Sequence, residues 1–283
     1  MALSDLTLGI DFDFAVATDG DDVFNYALLS SEIQEQLANS PGIDAVALLA
    51  GDDNGIDDSA ARIYFGNTGN DRIFGNGGSD TLAAGQNDDL LSGGEGDDFL
   101  FGNRDNDILV GNEGGDSIFG GRSDDLLAGE AGNDFLSGDL GNDTLEGGDG
   151  NDTLVGRDGN DLLSGNDDDD LLVAGMGVDD LRGGSGDDTL VFRRSEDVTD
   201  LLEADAIVDF DLDDDILGLD FSDYFLDDGI DLSNLLSFDG ENRSEVDTIV
   251  RAGEQGPIIG VVVDVTARDL EERIQQVSID FLS

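Results

Sequence analysis

One nine-residue unit repeats fourteen times between Gly66 and Val191 without a single insertion or deletion. Its sixth place is always Asp, at Asp71, Asp80, Asp89, Asp98, Asp107, Asp116, Asp125, Asp134, Asp143, Asp152, Asp161, Asp170, Asp179 and Asp188. Its eighth place is always Leu or Ile, from Ile73 to Leu190. A period this short and strict excludes an ordinary globule and predicts a solenoid of stacked coils. A merely solvated acidic face would accept Glu or Ser at the sixth place, and this place accepts neither. A position reserved for Asp in a Gly-rich loop points to a hard cation held by oxygen.

The unit reads G-[GN]-x-G-x-D-x-[LI]-x, as in Gly93-Gly94-Glu95-Gly96-Asp97-Asp98-Phe99-Leu100-Phe101. Where the fourth place is not Gly it is Asn87, Asp105, Ser123 or Asp168. All are short and polar, and Asn and Asp tolerate positive φ best, so a left-handed backbone is expected there. The last three residues make a short strand with the eighth side chain inward. Nine residues give one turn and one strand, so two units make a full coil with a sheet on each side. Units n and n+2 then stack about 4.8 Å apart. Asp residues 18 apart come into register, as in Asp71/Asp89 and Asp80/Asp98, forming two carboxylate columns. Without cations the columns repel; with one Ca²⁺ in each gap, the two columns of seven would take about twelve ions.

Composition narrows the ligand and the partners. The formal charge is −56, from 68 acidic residues against 12 basic ones, all of them Arg. Nucleic acid and anionic membrane surfaces are poor partners, since phosphate neutralisation needs clustered cations. There is no Cys and no His, so a metal finds only oxygen ligands, which favours calcium over zinc or copper. A disordered acidic chain would not demand Leu or Ile every ninth residue. The amino end, MALSDLTLGIDFDFAVA, has neither a basic start nor a continuous apolar core, unlike a cleaved secretory signal. No run reaches the roughly 20 apolar residues needed to span a bilayer.

Three regions follow: an amino-terminal cap over 1–65, the array over 66–191 and a β-rich carboxyl-terminal cap over 192–283. In the first, Ser31 to Gln34 reads as a capping box opening a short helix that Pro41 and Gly42 would stop. Ile43–Ala50 has strand length, and Gly20–Phe24 and Ile63–Phe65 look like decayed repeats. In the last, Ala206–Phe210, Ile216–Phe221, Thr248–Arg251 and Ile258–Val265 read as antiparallel strands. Gly253–Gly256 would supply a turn, and Thr266 would cap a helix running to about Val277.

The unit resembles the hemolysin-type calcium-binding repeat of RTX proteins, whose fold is the parallel β-roll. The resemblance covers residues 66–191. It implies that each ion is held by the carbonyls of the second and fourth places and the Asp of one turn, with the carbonyls of the first and third places and the Asp of the turn 18 residues on. Carried onto this chain, one site would use Gly94, Gly96 and Asp98 with Gly111, Glu113 and Asp116. Ala84 and Ala174 depart from the pattern at the first place, and Val178 at the fifth, where Asn and Asp are usual. The carboxyl region resembles the domain that follows such repeats in serralysin-type proteases. The residues carrying this are Asp188–Phe192, Ala206–Phe210, Asp213–Asp215 with Ile216, and the tail Asp280-Phe281-Leu282-Ser283. That resemblance implies an uncleaved signal, partnership with the type I secretion machinery and an extracellular destination.

The expected behaviour is folding on export. The stacked carboxylates oppose folding where calcium is scarce. If each site dissociates near 10⁻⁴ M, ~10 mM calcium adds about 2.7 kcal/mol per site. Residues 1–65 are short for a catalytic module, and without His or Cys an enzyme is not expected. The preferred reading is an extracellular structural protein that self-assembles. The seventh and ninth places should point outward, and they include Phe99, Phe101, Phe119, Phe135, Val155, Leu171, Val173 and Val191 on one side, with Leu90, Ile108, Val110, Leu126 and Leu162 on the other. An apolar surface of that size predicts homo-oligomers or polymers, or else packing against the terminal regions. The alternatives are an adhesin or carbohydrate-binding module, and a polysaccharide-active enzyme working through paired carboxylates.

Overall fold

The computed structural model describes residues 7–8, 14–16, 23–25, 45–47, 51, 53–56, 63–192, 205–211, 214–220, 230–235, 247–252, 258–262 and 274–277. Among them every regular element is a strand, and no helix is long and apolar enough to cross a membrane. The fold is a parallel β-solenoid of about 7 turns, as an RTX β-roll would be. The chain divides into two compact units, residues 1–136 and 137–283.

In the first unit successive repeats alternate between two sheets. One holds Ile63–Thr68, Thr81–Gln86, Phe99–Phe101 and Ser117–Arg122; the other holds Arg72–Gly77, Leu90–Glu95, Ile108–Glu113 and Leu126–Ala131. Every one of these pairings is parallel and shifted by 18 residues, as in Leu82↔Leu100↔Ile118 and Leu91↔Leu109↔Leu127. The eighth-place side chains all point inward and are buried, with Tyr64 in the same position one repeat before the array. The alternation is that of half-buried strands, with the apolar period set to one face.

The strands are longer than the three residues expected. Thr81–Gln86 runs from the seventh place of one unit to the third place of the next, and its ladder continues through Asn67↔Gly85 and Thr68↔Gln86. The strand crosses the corner because the second place takes positive φ, even at Glu130 (79°) in the first unit and Asp139 (72°) and Arg157 (77°) in the second. The fourth place does the same throughout, including Asn87, Asp105, Ser123 and Asp168 at 68–80°.

The decayed repeats are real coils. Val23–Asn25 pairs in parallel with Asn54–Ile56, and that with Arg72–Phe74. Ala45–Ala47, inside the expected strand Ile43–Ala50, pairs in parallel with Ile63–Phe65. The helix expected from Ser31 lies outside the described residues, as does the turn at 253–256.

The second unit corrects two expectations. Asp205–Ile207 and Ile216–Asp220 are not antiparallel strands; they continue the two sheets in parallel, onto Asp180–Leu181 and Thr189–Phe192. Antiparallel pairing begins only where Asp247–Ala252 meets Ile230–Leu235 and Ile258–Val262. Of the helix expected from Thr266 to Val277, the described residues form a strand, Ile274–Val277, parallel to Leu217–Asp220, and the rest lies outside the described residues. Pairing with an open sheet edge outweighs the helix propensity of that segment. The outward places are corrected too: Val155, Val173 and Val191 are buried within the chain, whereas Phe99 (49%) and Ile108 (44%) are exposed.

Candidate metal centre

The sixth-place Asp residues stand at the corners between strands, where the chain leaves the Gly-rich loop. Each is buried. Their Oδ1 atoms reach back one coil: that of Asp116 accepts the N–H of Asp98 at 2.7 Å, Asp125 that of Asp107 at 2.8 Å, and Asp188 that of Asp170 at 2.9 Å. The fifth place stitches the other way. Asp97 Oδ1 accepts the N–H of Gly115 at 3.0 Å, and Asp169 that of Asp187 at 2.8 Å. Val178 does not break this ladder, because its N–H donates to Asn160 Oδ1 at 2.9 Å.

The second carboxylate oxygen is the informative one. The Oδ2 atoms of Asp98, Asp107, Asp116, Asp170, Asp179 and Asp188 are buried and have no hydrogen-bond partner. An orphaned carboxylate oxygen is costly to keep in a dry site. Burial accordingly raises these groups above the usual carboxylate range: Asp107 to about 9, Asp170 to about 8, Asp116 and Asp179 to about 7, Asp188 to about 6. The N–H of the preceding Asp opposes the shift in each case. Like charges add to it, as Asp89 and Asp125 do at Asp107. Such a column favours protons or a cation, and nothing on this chain supplies enough cations.

The first-place glycines make the room. A Cβ on Gly93 would fall on Asp98 Oδ2 and come within 2.9 Å of the Gly111 carbonyl oxygen. That point is where an oxygen of one coil and an oxygen of the next converge. The same meeting occurs at Gly102, between Asp107 Oδ2 and Gly120 O, and at Gly165, between Asp170 Oδ2 and Gly183 O. So of the residues expected to share one site, Asp98 Oδ2 and the Gly111 carbonyl oxygen flank the same point beside Gly93, and Asp116 joins Asp98 through its bond to Asp98 N. The Glu113 carbonyl accepts the N–H of Gly96 at 2.7 Å, and the Gly96 carbonyl lies against Gly114. Gly94 pairs in register with Asn112 and holds φ at 119°. Among the described residues no three carboxylates cluster as a metal site by themselves. Each gap offers two, so backbone carbonyls must complete the shell. All of these donors are oxygens, as calcium requires.

The matching family model settles what the corners are. It is the RTX calcium-binding nonapeptide repeat (4 copies), and it matches residues 63–91, 84–118, 101–136, 110–145, 146–181 and 155–190. The array is a run of RTX calcium-binding repeats. RTX repeats bind calcium, and proteins that carry them are typically secreted. No curated protein matches the chain.

Three ladder residues lie outside the RTX array and escaped the sequence reading. Asp53 N–H donates to Asp71 Oδ1 at 2.8 Å, with Gly51 at positive φ like every fourth place. Asp205 Oδ1 accepts from Asp179 N, and Asp215 Oδ1 from Asp188 N, both at 3.1 Å. Burial and the charge of Asp179 raise Asp205 well above the carboxylate range. The signal was there in the triplets Asp205-Ala206-Ile207 and Asp215-Ile216-Leu217, which keep Asp and the inward apolar residue. It was masked by spacings of 26 and 27 instead of 18 and by the loss of the glycines.

Proposed function

We propose that this is an extracellular structural protein that stays unfolded where calcium is scarce, is exported by the type I route, and folds on meeting millimolar calcium outside. The observation that carries the reading is the buried Oδ2 of Asp98, Asp107, Asp116, Asp170, Asp179 and Asp188, each without a hydrogen-bond partner. Asp98 with the carbonyls of Gly94 and Gly96, and Asp116 with those of Gly111 and Glu113, would enclose one ion; about twelve such gaps fall between Asp71 and Asp188. Calcium there replaces carboxylate repulsion with attraction across every gap.

The loaded roll has outer faces suited to self-assembly. From Ile63 to Phe135 the outward seventh and ninth places of one sheet are Ile63, Phe65, Thr81, Ala83, Phe99, Phe101, Ser117, Phe119 and Phe135, without one charge in a chain of net −56. Uncharged strips let two copies approach without setting like charges in contact. The rings of Phe101 and Phe119 stack at 5.2 Å and 7°, so each already lends one face to its neighbour in place of a sugar ring. That favours assembly over carbohydrate binding, and no catalytic activity is assigned.

Sedimentation and circular dichroism with 10 mM calcium and with excess chelator test both parts. The expected outcome is a β-rich species that associates as protein concentration rises, against an unfolded monomer in chelator. Full β content in chelator ends the folding proposal. A strict monomer at high concentration in calcium ends the assembly proposal alone.

A further inference from the structure

Resting on the reading of the array as calcium-loaded, we infer that the cation columns do not stop with the repeats: the gaps Asp179/Asp205 and Asp188/Asp215 each hold one further divalent cation and fasten the chain beyond Phe192 to the roll. Neither Asp205 nor Asp215 belongs to a recognisable repeat, and the family match ends at residue 190. Yet both gaps reproduce the bonds of an array gap. Within the array, Leu90 N–H donates to Asp71 O at 2.9 Å and Ser117 N–H to Asp98 O at 2.8 Å; beyond it, Ala206 N–H donates to Asp179 O at 2.8 Å and Ile216 N–H to Asp188 O at 2.7 Å. The Asp of the following coil again accepts the N–H of the Asp before it. All four carboxylates are buried, and the Oδ2 atoms of Asp179 and Asp188 lack hydrogen-bond partners.

The environment of Asp188 carries the inference furthest. Its Oδ2 lies where a Cβ of Gly183 would stand. The Gly183 N–H donates to Asp209 Oδ1 at 3.1 Å, which sets a further negative charge beside the gap. The charges of Asp215, Asp209 and Asp169 all act on Asp188; the guanidinium of Arg182 acts on Asp209 and offsets only part of them. A cation answers that arrangement; a purely structural turn would have had no reason to build it.

The column also has a visible end. Asp215 Oδ2, the oxygen that would face one coil more, accepts the N–H of Asp211 at 2.7 Å. An oxygen already satisfied asks for no ion, so this column closes at Asp215.

Native mass spectrometry of the full chain titrated with calcium counts ions one by one. The wild type is expected to carry at least two ions more than the twelve of the array. Asp205→Asn and Asp215→Asn keep an oxygen for the N–H of Asp179 or Asp188 but lose the charge; each is expected to carry one ion fewer, and the double variant two fewer, with β content unchanged in saturating calcium. Counts equal to wild type in both variants overturn the inference, as does a wild-type count of twelve or fewer. A chain carrying no calcium overturns the reading of the array itself, which separates the two failures. Should either variant misfold, the wild-type count decides alone.

Discussion

Asp116 in the array and Asp215 beyond it hold the same station in the ladder and differ at one oxygen. Both give Oδ1 to the N–H of the Asp one coil earlier. The Oδ2 of Asp116 is buried without a hydrogen-bond partner, whereas that of Asp215 takes the N–H of Asp211. The difference teaches what a cation is for in this fold. An inner coil leaves an oxygen open toward the next coil and depends on something from outside to close the account. A terminal coil bends its own backbone round to do so.

The widest test of that contrast is pH in the absence of calcium. The folded-state values of Asp107, Asp170, Asp116, Asp179 and Asp188 are raised to about 9, 8, 7, 7 and 6. A raised carboxyl favours the protonated form on folding, so its contribution is fully present below the unfolded value near 3.8 and is lost as pH rises through 6 to 9. Chelated protein is therefore expected to gain β content as pH falls from 9 to 5, with protons standing in for calcium. A flat ellipticity over that range would show that the buried oxygens do not control folding. With calcium present the dependence reverses, since protons compete for the same oxygens.

Gly111→Val is the next largest. Its side chain would land on Asp116 Oδ2 and within 2.8 Å of the Gly129 carbonyl oxygen. It should cost roughly 1–3 kcal/mol or more and raise the calcium concentration needed for half-folding. An unchanged calcium midpoint would mean that the corner has room to spare and that the glycine is there for another reason.

Asp211→Pro sharpens the comparison from the other side. It removes the N–H that satisfies Asp215 Oδ2, at a cost of about 1–3 kcal/mol. Unlike Gly111→Val, it should lower the thermal midpoint of the calcium-saturated protein without moving the calcium midpoint of the array. If it moves both, the terminal coil is no more self-sufficient than the inner ones.

The parts of this molecule readable from sequence are those where one requirement recurs. The 18-residue register, the inward Leu and Ile, and the left-handed fourth place are each repeated often enough to stand out. The second place is not legible as left-handed because Glu130 and Arg157 adopt positive φ there, which their side chains do not favour. The first-place glycine stands out in the repeat, but its reason does not. At Gly93 and Gly111 the need is for space beside the carboxylate of the same repeat, which no backbone rule discloses. Asp53, Asp205 and Asp215 were hidden because their coils keep the geometry after losing the motif. The end of the helix expected to run to Val277 is a strand for a related reason. Local propensity cannot register a partner strand, Ile216–Asp220, that lies more than fifty residues away in the chain.

The parallel register has a consequence for the length of such proteins. Since every rung of the array meets the one 18 positions away, removing residues 84–101 would bring Gly102 onward against the coil that ends at Ala83 with contacts of the same kind. Removing nine would exchange left for right and set each corner above a corner of the opposite edge. Lineages of this architecture should therefore gain and shed material in even counts of the unit, like a ladder that can be shortened only by whole flights.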